Sequence, residues 1–199
     1  MLFRSKIMDD MVVNYADTPY AEQAQLAKAN YYYERGEFET AQEEYARFAR
    51  DYPHSRFQAK ALLWSAYSAL ASFPGIKFDD APLLEAEERF HEFLRGYQAQ
   101  GEQMGVPVLL DEIASTRADK TYDIAAFYER TKATNAARYY YRATMQRWPD
   151  TPAAAKAKGR LAALGPGNPP PPFPQPATVP ASEPASQPST NPDNLEIVP

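Results

Sequence analysis

An alanine followed by three larger residues, at spacings of four, three and four, recurs three times in this chain. A spacing of three or four returns side chains to one face of an α-helix, so each set forms a stripe with a small residue where a neighbouring helix comes close. Thr144 is the one polar exception among these positions. The pattern predicts a repeated helix. The sets are Ala41, Tyr45, Phe48 and Tyr52; Ala86, Phe90, Phe93 and Tyr97; and Ala137, Tyr141, Thr144 and Trp148.

The beginning of the chain fits the end of the same pattern. Met8, Met11 and Tyr15 match the last three positions of a stripe, with Arg4 in place of the alanine. We therefore interpret residues 1–18 as the end of an earlier repeat. An alanine also stands fourteen residues beyond three of the aromatic residues that end a stripe. We expect each of these alanines to lie where the two helices of a pair pack closely, because a small side chain permits a close approach. These alanines are Ala29, Ala66 and Ala162.

The segments that follow these stripes carry signals for a turn and a new helix. Threonine and serine are favoured N-caps, and proline suits the first position of a helix but cannot continue the one before it. The pattern predicts N-caps at Thr18, Ser55 and Thr151, with Pro19 and Pro152 at the first helical position.

Two units of the chain resemble tetratricopeptide repeats. Helix pairs with a period of roughly 34 residues stack into solenoids, because each pair buries its apolar face only against the next. Strand-like alternation is absent, so we predict an all-α fold: a tetratricopeptide-like solenoid over residues 19–164, closed by a capping helix from Pro152 to Leu164. In the later unit Lys132 and Thr134 replace the turn glycine and an aromatic residue. The matching positions, 96 residues apart, are Ala29, Tyr32, Ala41, Tyr45 and Pro53, then Ala125, Tyr128, Ala137, Tyr141 and Pro149; Gly36 and Phe38 complete the first unit.

The composition changes at Gly165. Of the 19 prolines, 12 fall in the last 35 residues, mixed with Ser, Ala, Gln and Asn. Such a segment cannot bury enough apolar area to offset the entropy lost on ordering. We predict that residues 165–199 form a disordered, proline-rich tail.

Charge and hydropathy exclude several classes of function. The tail contributes −3 to the net charge of −5, which leaves −2 for the helical part. We interpret the acidic and basic residues of the helical part as interspersed. No basic face is evident, so we predict no nucleic-acid partner. The longest uncharged stretch, Ala61–Ile76, is shorter than the roughly 20 residues of a membrane span.

The sequence offers no recognisable catalytic chemistry. His54 and His91 stand apart from each other and from any cysteine, since the chain has none. Adjacent carboxylates such as Asp79 and Asp80 diverge by about 100 degrees on a helix and do not share a site. Phosphate-binding glycine motifs and nucleophile elbows are absent. We therefore predict a binding protein that is not an enzyme and has no metal or cofactor.

A helical solenoid offers a long surface lined by the first helix of each pair, on which extended peptides or partner domains can bind. Tyrosines provide contact area at low entropic cost, and charged residues select the partner. The alternative is that Tyr33, Tyr67 and Tyr122 pack against neighbouring helices. The predicted inward positions for peptide or substrate binding are Asn30, Tyr33, Glu34, Tyr67, Leu70 and Tyr122, and Glu129 and Arg130 lie on the same register.

Several runs of the chain resemble one family. From residue 15 the chain reads YADTPYAE, from residue 36 GEFETA, from residue 125 AAFYERT, and from residue 148 WPDTP. This order of irregular repeats resembles the BamD family, the D lipoprotein of the outer-membrane β-barrel assembly machinery, over roughly residues 8 to 164. The long helix predicted from about Pro107 to Thr131 also suits that family.

The resemblance implies a non-catalytic scaffold on the periplasmic face of the outer membrane. In that family the N-terminal repeats are thought to receive unfolded barrel proteins, and the C-terminal repeats hold the barrel-forming insertase through its periplasmic domains. Membrane association would then require a lipid anchor or a partner. Carried over by position, Asn30, Tyr33, Glu34 and Tyr67 lie near the substrate end, and Glu129, Arg130, Arg138 and Arg142 near the insertase end.

Two differences from the family shape the expectations. The family anchors itself through a lipidated cysteine after a signal peptide, and neither is seen in these residues, so we expect that the N-terminus is incomplete. The family also continues with another helix pair where this chain has one helix, Pro152 to Leu164. The alternative function is a tetratricopeptide adaptor for protein–protein interaction in the envelope or the cytosol.

Overall fold

A computed structural model describes residues 2–15 and 18–165, and these residues form α-helices and no strand. The predicted all-α class is confirmed. The predicted tail lies outside the described residues from residue 166 onward. The helices are α1 (Leu2–Asn14), α2 (Pro19–Glu34), α3 (Phe38–Asp51), α4 (Gln58–Ala71), α5 (Ala81–Gln103), α6 (Val106–Arg130), α7 (Thr134–Arg147) and α8 (Pro152–Leu164).

The helices of residues 2–165 pack in chain order. Each of α2 to α7 contacts the helix before it and the helix after it, and α8 also contacts α6. This is the stacking expected of a solenoid, in which neighbouring helices supply most of the buried surface. The predicted long helix from about Pro107 to Thr131 corresponds closely to α6.

The repeated stripes form the core of these helices. The alanine that begins each stripe is fully buried, at 0% exposure for Ala41, Ala86 and Ala137. The second and third members are buried as well, including the polar Thr144, whose hydroxyl donates to the Tyr140 carbonyl oxygen at 2.9 Å. The aromatic residue that ends each stripe is half-buried. The predicted helix register is therefore correct.

The core divides into three clusters joined by shared helices. The first joins α2, α3 and α4, the second joins α4, α5 and α6, and the third joins α6, α7 and α8. Ala29 and Ala66 are fully buried as predicted, but Ala162 is exposed. Ala66 is buried by α5 and α6, whereas no helix follows α8 within residues 2–165, so the prediction for Ala162 is wrong. Central members are Tyr45 and Phe48, then Phe90 and Phe93, then Ala125 and Tyr141.

Two of the three predicted N-caps are confirmed. The hydroxyl oxygens of Thr18 and Thr151 accept from the backbone N–H of Ala21 at 3.4 Å and of Ala154 at 3.3 Å, and α2 and α8 begin at the following prolines. Ser55 is not an N-cap, because α4 begins three residues later, at Gln58. Its hydroxyl instead donates to Glu22 Oε2 at 2.8 Å, a contact across 33 residues.

The turns inside the first and last helix pairs share one backbone conformation. Gly36 has φ +75°, and Lys132, 96 residues later, has φ +60°. In both turns the N–H one residue further on donates to a carbonyl five positions earlier, as in a Schellman motif. Lys132 therefore makes the glycine's turn despite its side chain, at a cost of roughly 1 kcal/mol for a left-handed residue with a Cβ.

Helix α5 bends near its end. Tyr97 has φ −139° and ψ 47°, outside the helical region, and its hydroxyl donates to Gln58 Oε1 on α4 at 2.7 Å. Gly101 follows the bend and is buried. A Cβ on Gly101 would overlap Leu94 Cδ2 and lie 3.3 Å from Phe93 Cε1, so the absence of a side chain lets the two segments of α5 pack together.

Candidate binding surfaces

A ladder of aromatic rings joins the first helix pairs. Tyr33 on α2 contacts Trp64 on α4 edge-to-face, with ring centroids 4.9 Å apart. Trp64 contacts Tyr67 at 5.9 Å, and Tyr67 contacts Phe90 on α5 at 5.5 Å. Tyr33 and Tyr67 are half-buried in these contacts, so each presents only part of its ring to solvent. Trp64 was missed by sequence reasoning, although it lies three residues before Tyr67 and so on the same helix face.

The other predicted residues at this end differ in exposure. Asn30 is half-buried, and its Oδ1 accepts from the Tyr45 hydroxyl at 2.6 Å. Burial raises the pKa of Tyr45 above its ordinary value, which keeps the hydroxyl protonated as the donor. Leu70 packs against the second cluster, whereas Glu34 is exposed. Glu34 is thus the exposed charged residue of this set.

Tyr122 does not lie with the other predicted peptide-binding residues. Its ring contacts Tyr141 at 5.3 Å, and it packs against the third cluster. Asn30, Tyr33, Tyr67 and Leu70 lie on helices of the first and second clusters. The structure therefore places Tyr122 with the predicted insertase-binding residues.

Glu129 is the centre of a polar network at the C-terminal end. Its Oε2 accepts from the Tyr141 hydroxyl at 2.7 Å and from Arg160 Nε at 3.1 Å, and Arg160 Nη2 pairs with Oε1. The hydrogen bond from Arg160, then that from Tyr141, lowers the pKa of Glu129 below its usual 4.5. Burial, together with the bond to Glu129, raises the pKa of Tyr141 to about 12. Arg160 was missed by sequence reasoning.

The three predicted arginines have different surroundings. Arg138 Nη2 donates to the Leu164 carbonyl oxygen at the end of α8, at 2.5 Å, and Nη1 to Asn135 Oδ1 at 3.4 Å. Glu129 and Arg138 therefore hold α8 against α6 and α7. Arg130 is exposed and Arg142 is half-buried.

Arg117, also missed by sequence reasoning, connects the middle of the array to its C-terminal end. Arg117 Nε lies 3.3 Å from Asp80 Oδ2, and Nη1 pairs with Glu87 on α5. The guanidinium also lies over the Trp148 ring at the end of α7, 5.3 Å from its centroid. Its side chain is only 13% exposed. The ion pairs and the ring contact together tie α6 to both neighbouring helices.

Metal-binding clusters and membrane-spanning helices are both absent from the described residues. No cluster of three or more His, Cys, Asp or Glu side chains is arranged to bind a metal ion within residues 2–15 and 18–165. None of the helices in those ranges combines the length and apolar character of a membrane span.

The helices, packed in chain order, define an all-α protein of the helical-repeat class. A family model described as YfiO, outer membrane lipoprotein, matches residues 4–163. The chain therefore belongs to this family, BamD, and the resemblance seen in the sequence is confirmed. No curated protein matches the chain.

Proposed function

We propose that this chain is a non-catalytic scaffold of the outer-membrane β-barrel assembly machinery, which binds unfolded barrel proteins at one end and the insertase at the other. The family match from residue 4 to residue 163 carries the proposal, because it covers the three helix pairs α2–α3, α4–α5 and α6–α7 completely and nearly all of α8. The family's outer-membrane character supports a location on the periplasmic face of that membrane, with a lipid anchor or a partner as the attachment.

The proposed substrate end is the aromatic ladder and its surroundings. Tyr33 and Tyr67 offer ring surface, Asn30 and Leu70 lie on the same two helices, and Glu34 adds an exposed charge. Rigid aromatic side chains give contact area to varied extended peptides without a large entropy cost. This combination supports binding of unfolded chains that share little sequence.

The proposed insertase end is the surface around the last helix pair. Arg130 and Arg142 supply its positive charge, while Glu129 and Arg138 fix the position of α8. Tyr122 contributes to the core beneath this surface. Charged groups on a fixed framework favour a folded partner, whose surface must match them in one orientation.

Site-specific photo-crosslinking tests the division into two ends. In separate variants, p-benzoylphenylalanine would replace Glu34 and Arg130, both of which are exposed, so the core is preserved. The first should crosslink to a denatured barrel protein diluted from urea, and the second to the purified periplasmic domains of the insertase. The same residue in place of Glu92, exposed on α5, is the matched control.

The outcomes separate the proposal from its alternative. Crosslinks above the Glu92 control at both positions, each to its own partner, support the scaffold function. Crosslinks that exchange partners would reverse the assignment of the two ends. Crosslinks no stronger than the control with either partner would contradict the proposal and leave a general tetratricopeptide adaptor.

A further inference from the structure

Charge is distributed unevenly along the helical part of this chain. In residues 1–129, 22 acidic and 13 basic residues give a formal net charge of −9, whereas residues 130–165 carry +7. The expectation of interspersed charges is therefore wrong, because it rested on the sum over both regions. Within the acidic region, the end of α2, the turn that follows it and the start of α3 are rich in carboxylates: residues 34–39 contain three glutamates and one arginine.

A cavity of about 500 Å³ lies beside this turn, and its size is within the range of small-ligand clefts. Its first wall is the turn and the start of α3, with Glu37, Phe38 and Glu39. Its second wall is the end of α4 and the loop after it, residues 71–74, which include Phe73. Two carboxylate side chains and two phenyl rings therefore line one cavity.

The end of α4 adds negative potential to this cavity. The carbonyl groups at the C-terminus of a helix carry partial negative charge, which favours a cation nearby. The last turn of α4, residues 68–71, contains no basic residue, whereas the last turns of α3, α6 and α7 contain Arg50, Arg130 and Arg147. The cavity therefore lies beside a helix terminus whose own last turn supplies no positive charge.

The two carboxylates of the cavity are available to a ligand. Glu39 is exposed and forms no ion pair within the part of the chain that the structure describes. Glu37 Oε1 lies 2.6 Å from Arg35 Nε, and the two side chains are 42% and 39% exposed. Because an ion pair this exposed contributes little free energy, a ligand cation can share the Glu37 carboxylate at small cost.

The turn between α2 and α3 does not require these acidic residues. The turn between α6 and α7, 96 residues later, has the same backbone conformation and the same hydrogen bond. In the later turn Ala133, Thr134 and Asn135 stand in place of Glu37, Phe38 and Glu39. The carboxylates of the first turn are therefore not needed for folding and can serve binding.

The cavity is continuous with the aromatic ladder of the proposed substrate end. The Phe38 ring, which lines the cavity, contacts the Tyr33 ring edge-to-face with centroids 5.3 Å apart. Tyr33 in turn contacts Trp64 at 4.9 Å. An extended chain whose apolar side chains lie on the ladder therefore has a neighbouring side chain within reach of the cavity.

We propose that this cavity binds an arginine side chain of an unfolded polypeptide whose apolar residues contact the ladder. The proposal rests on the proposed function, in which this end receives unfolded barrel proteins, and it adds a preference for segments with arginine beside apolar residues. A guanidinium group donates to carboxylates and stacks on aromatic rings, which are the two kinds of group that line the cavity. A metal ion fits less well, because no cluster of three or more His, Cys, Asp or Glu side chains is arranged to bind one in the described ranges.

Fluorescence anisotropy with the full chain tests the proposal. The probe is a labelled peptide of about ten residues, with the alternating apolar and polar pattern of a barrel strand and one central arginine. A matched probe carries citrulline, which is neutral and nearly the same shape, in place of the arginine. The test variant is E37Q/E39Q, and the control is E43Q/E92Q, which changes the net charge equally at exposed positions of α3 and α5. Circular dichroism would verify that both variants are folded.

We expect the wild type and E43Q/E92Q to bind the arginine probe at least about fivefold more tightly than the citrulline probe, and E37Q/E39Q to bind both probes alike. Equal affinity of the wild type for the two probes, or an unchanged preference in E37Q/E39Q, would overturn the arginine proposal while leaving peptide binding at this end intact. An equal loss of preference in E43Q/E92Q would identify general charge attraction and would also overturn it. Failure of the wild type to bind either probe would overturn the substrate half of the proposed function as well.

Discussion

Glu129 on α6 and Arg160 on α8 form an ion pair at the two repeat positions that Tyr33 and Trp64 fill 96 residues earlier. In the first unit these positions hold two rings in edge-to-face contact, with centroids 4.9 Å apart. The last unit thus uses opposite charges where the first uses aromatic surface. The stability of the last unit should therefore depend on pH, whereas the ring contact should not.

Replacing Glu129 with Gln should lower stability at pH 7 by about 1 kcal/mol or less, because Arg160 loses its charged partner. The pKa of Glu129 is lowered in the fold, so its contribution is present above the unfolded value of 4.5 and is lost as pH falls through the lower folded value. Urea denaturation should therefore show a difference between Glu129→Gln and wild type at pH 7 that shrinks below pH 4.5. Glu34→Gln, at an exposed carboxylate, is the control. An equal difference at both pH values would contradict the expectation.

Replacing Lys132 with glycine should stabilise the protein by about 1 kcal/mol, because the left-handed backbone at φ +60° carries a steric cost only when a Cβ is present. The reverse change, Gly36→Lys, places a side chain at φ +75° and should destabilise by a similar amount. Thermal or urea unfolding measures both. A loss of stability in Lys132→Gly would show that the lysine side chain contributes more than its backbone strain costs.

Replacing Ala137 with leucine should overpack the contact of α7 with its neighbours and cost roughly 1 to 3 kcal/mol, since the alanine is completely buried. The matched control is Ala155→Leu, at an exposed position of α8, which should have little effect. Thermal denaturation compares the two variants. Equal melting temperatures for Ala137→Leu and wild type would contradict the expected cost of overpacking at this buried position.

Gly101 and Gly159 should respond to alanine with opposite signs. Gly159 lies in α8, and a Cβ there would meet no packed neighbour within 4 Å beyond the local helix backbone, so Gly159→Ala should stabilise by about 0.5–1 kcal/mol through higher helix propensity. Gly101→Ala should destabilise by about 1 kcal/mol, because the new Cβ meets Leu94 and Phe93. Urea unfolding of the two variants tests this contrast. A stabilising Gly101→Ala would mean that Leu94 moves aside without cost.

The parts of the fold that depend on local chemistry could be predicted from the sequence. Helical spacing alone indicated that Ala41, Tyr45 and Phe48 share a buried face. The N-caps Thr18 and Thr151 accept hydrogen bonds from backbone N–H groups only three residues later, so they too depend on local sequence. Such signals persist because few distant contacts compete with them.

Features that depend on distant partners could not be predicted. Serine is a favoured N-cap residue, yet the hydroxyl of Ser55 donates to Glu22 on α2, in the preceding helix pair. Arg160 and Arg117 gain their roles from carboxylates 31 and 30 residues away. No spacing rule along one helix can place such pairs, because their proximity arises only when helices stack. The sequence therefore predicted which positions lie on the candidate surfaces. It did not predict the hydrogen bonds and ion pairs that connect them.

Helix α6 supplies Ile113 to the second core cluster and Ala125 to the third. These residues are about 18 Å apart along a continuous helix axis. No loop interrupts α6 between them in which a local movement could be absorbed. The second and third clusters are therefore built on one rod, and the geometry of a single helix sets the distance and the angle between them.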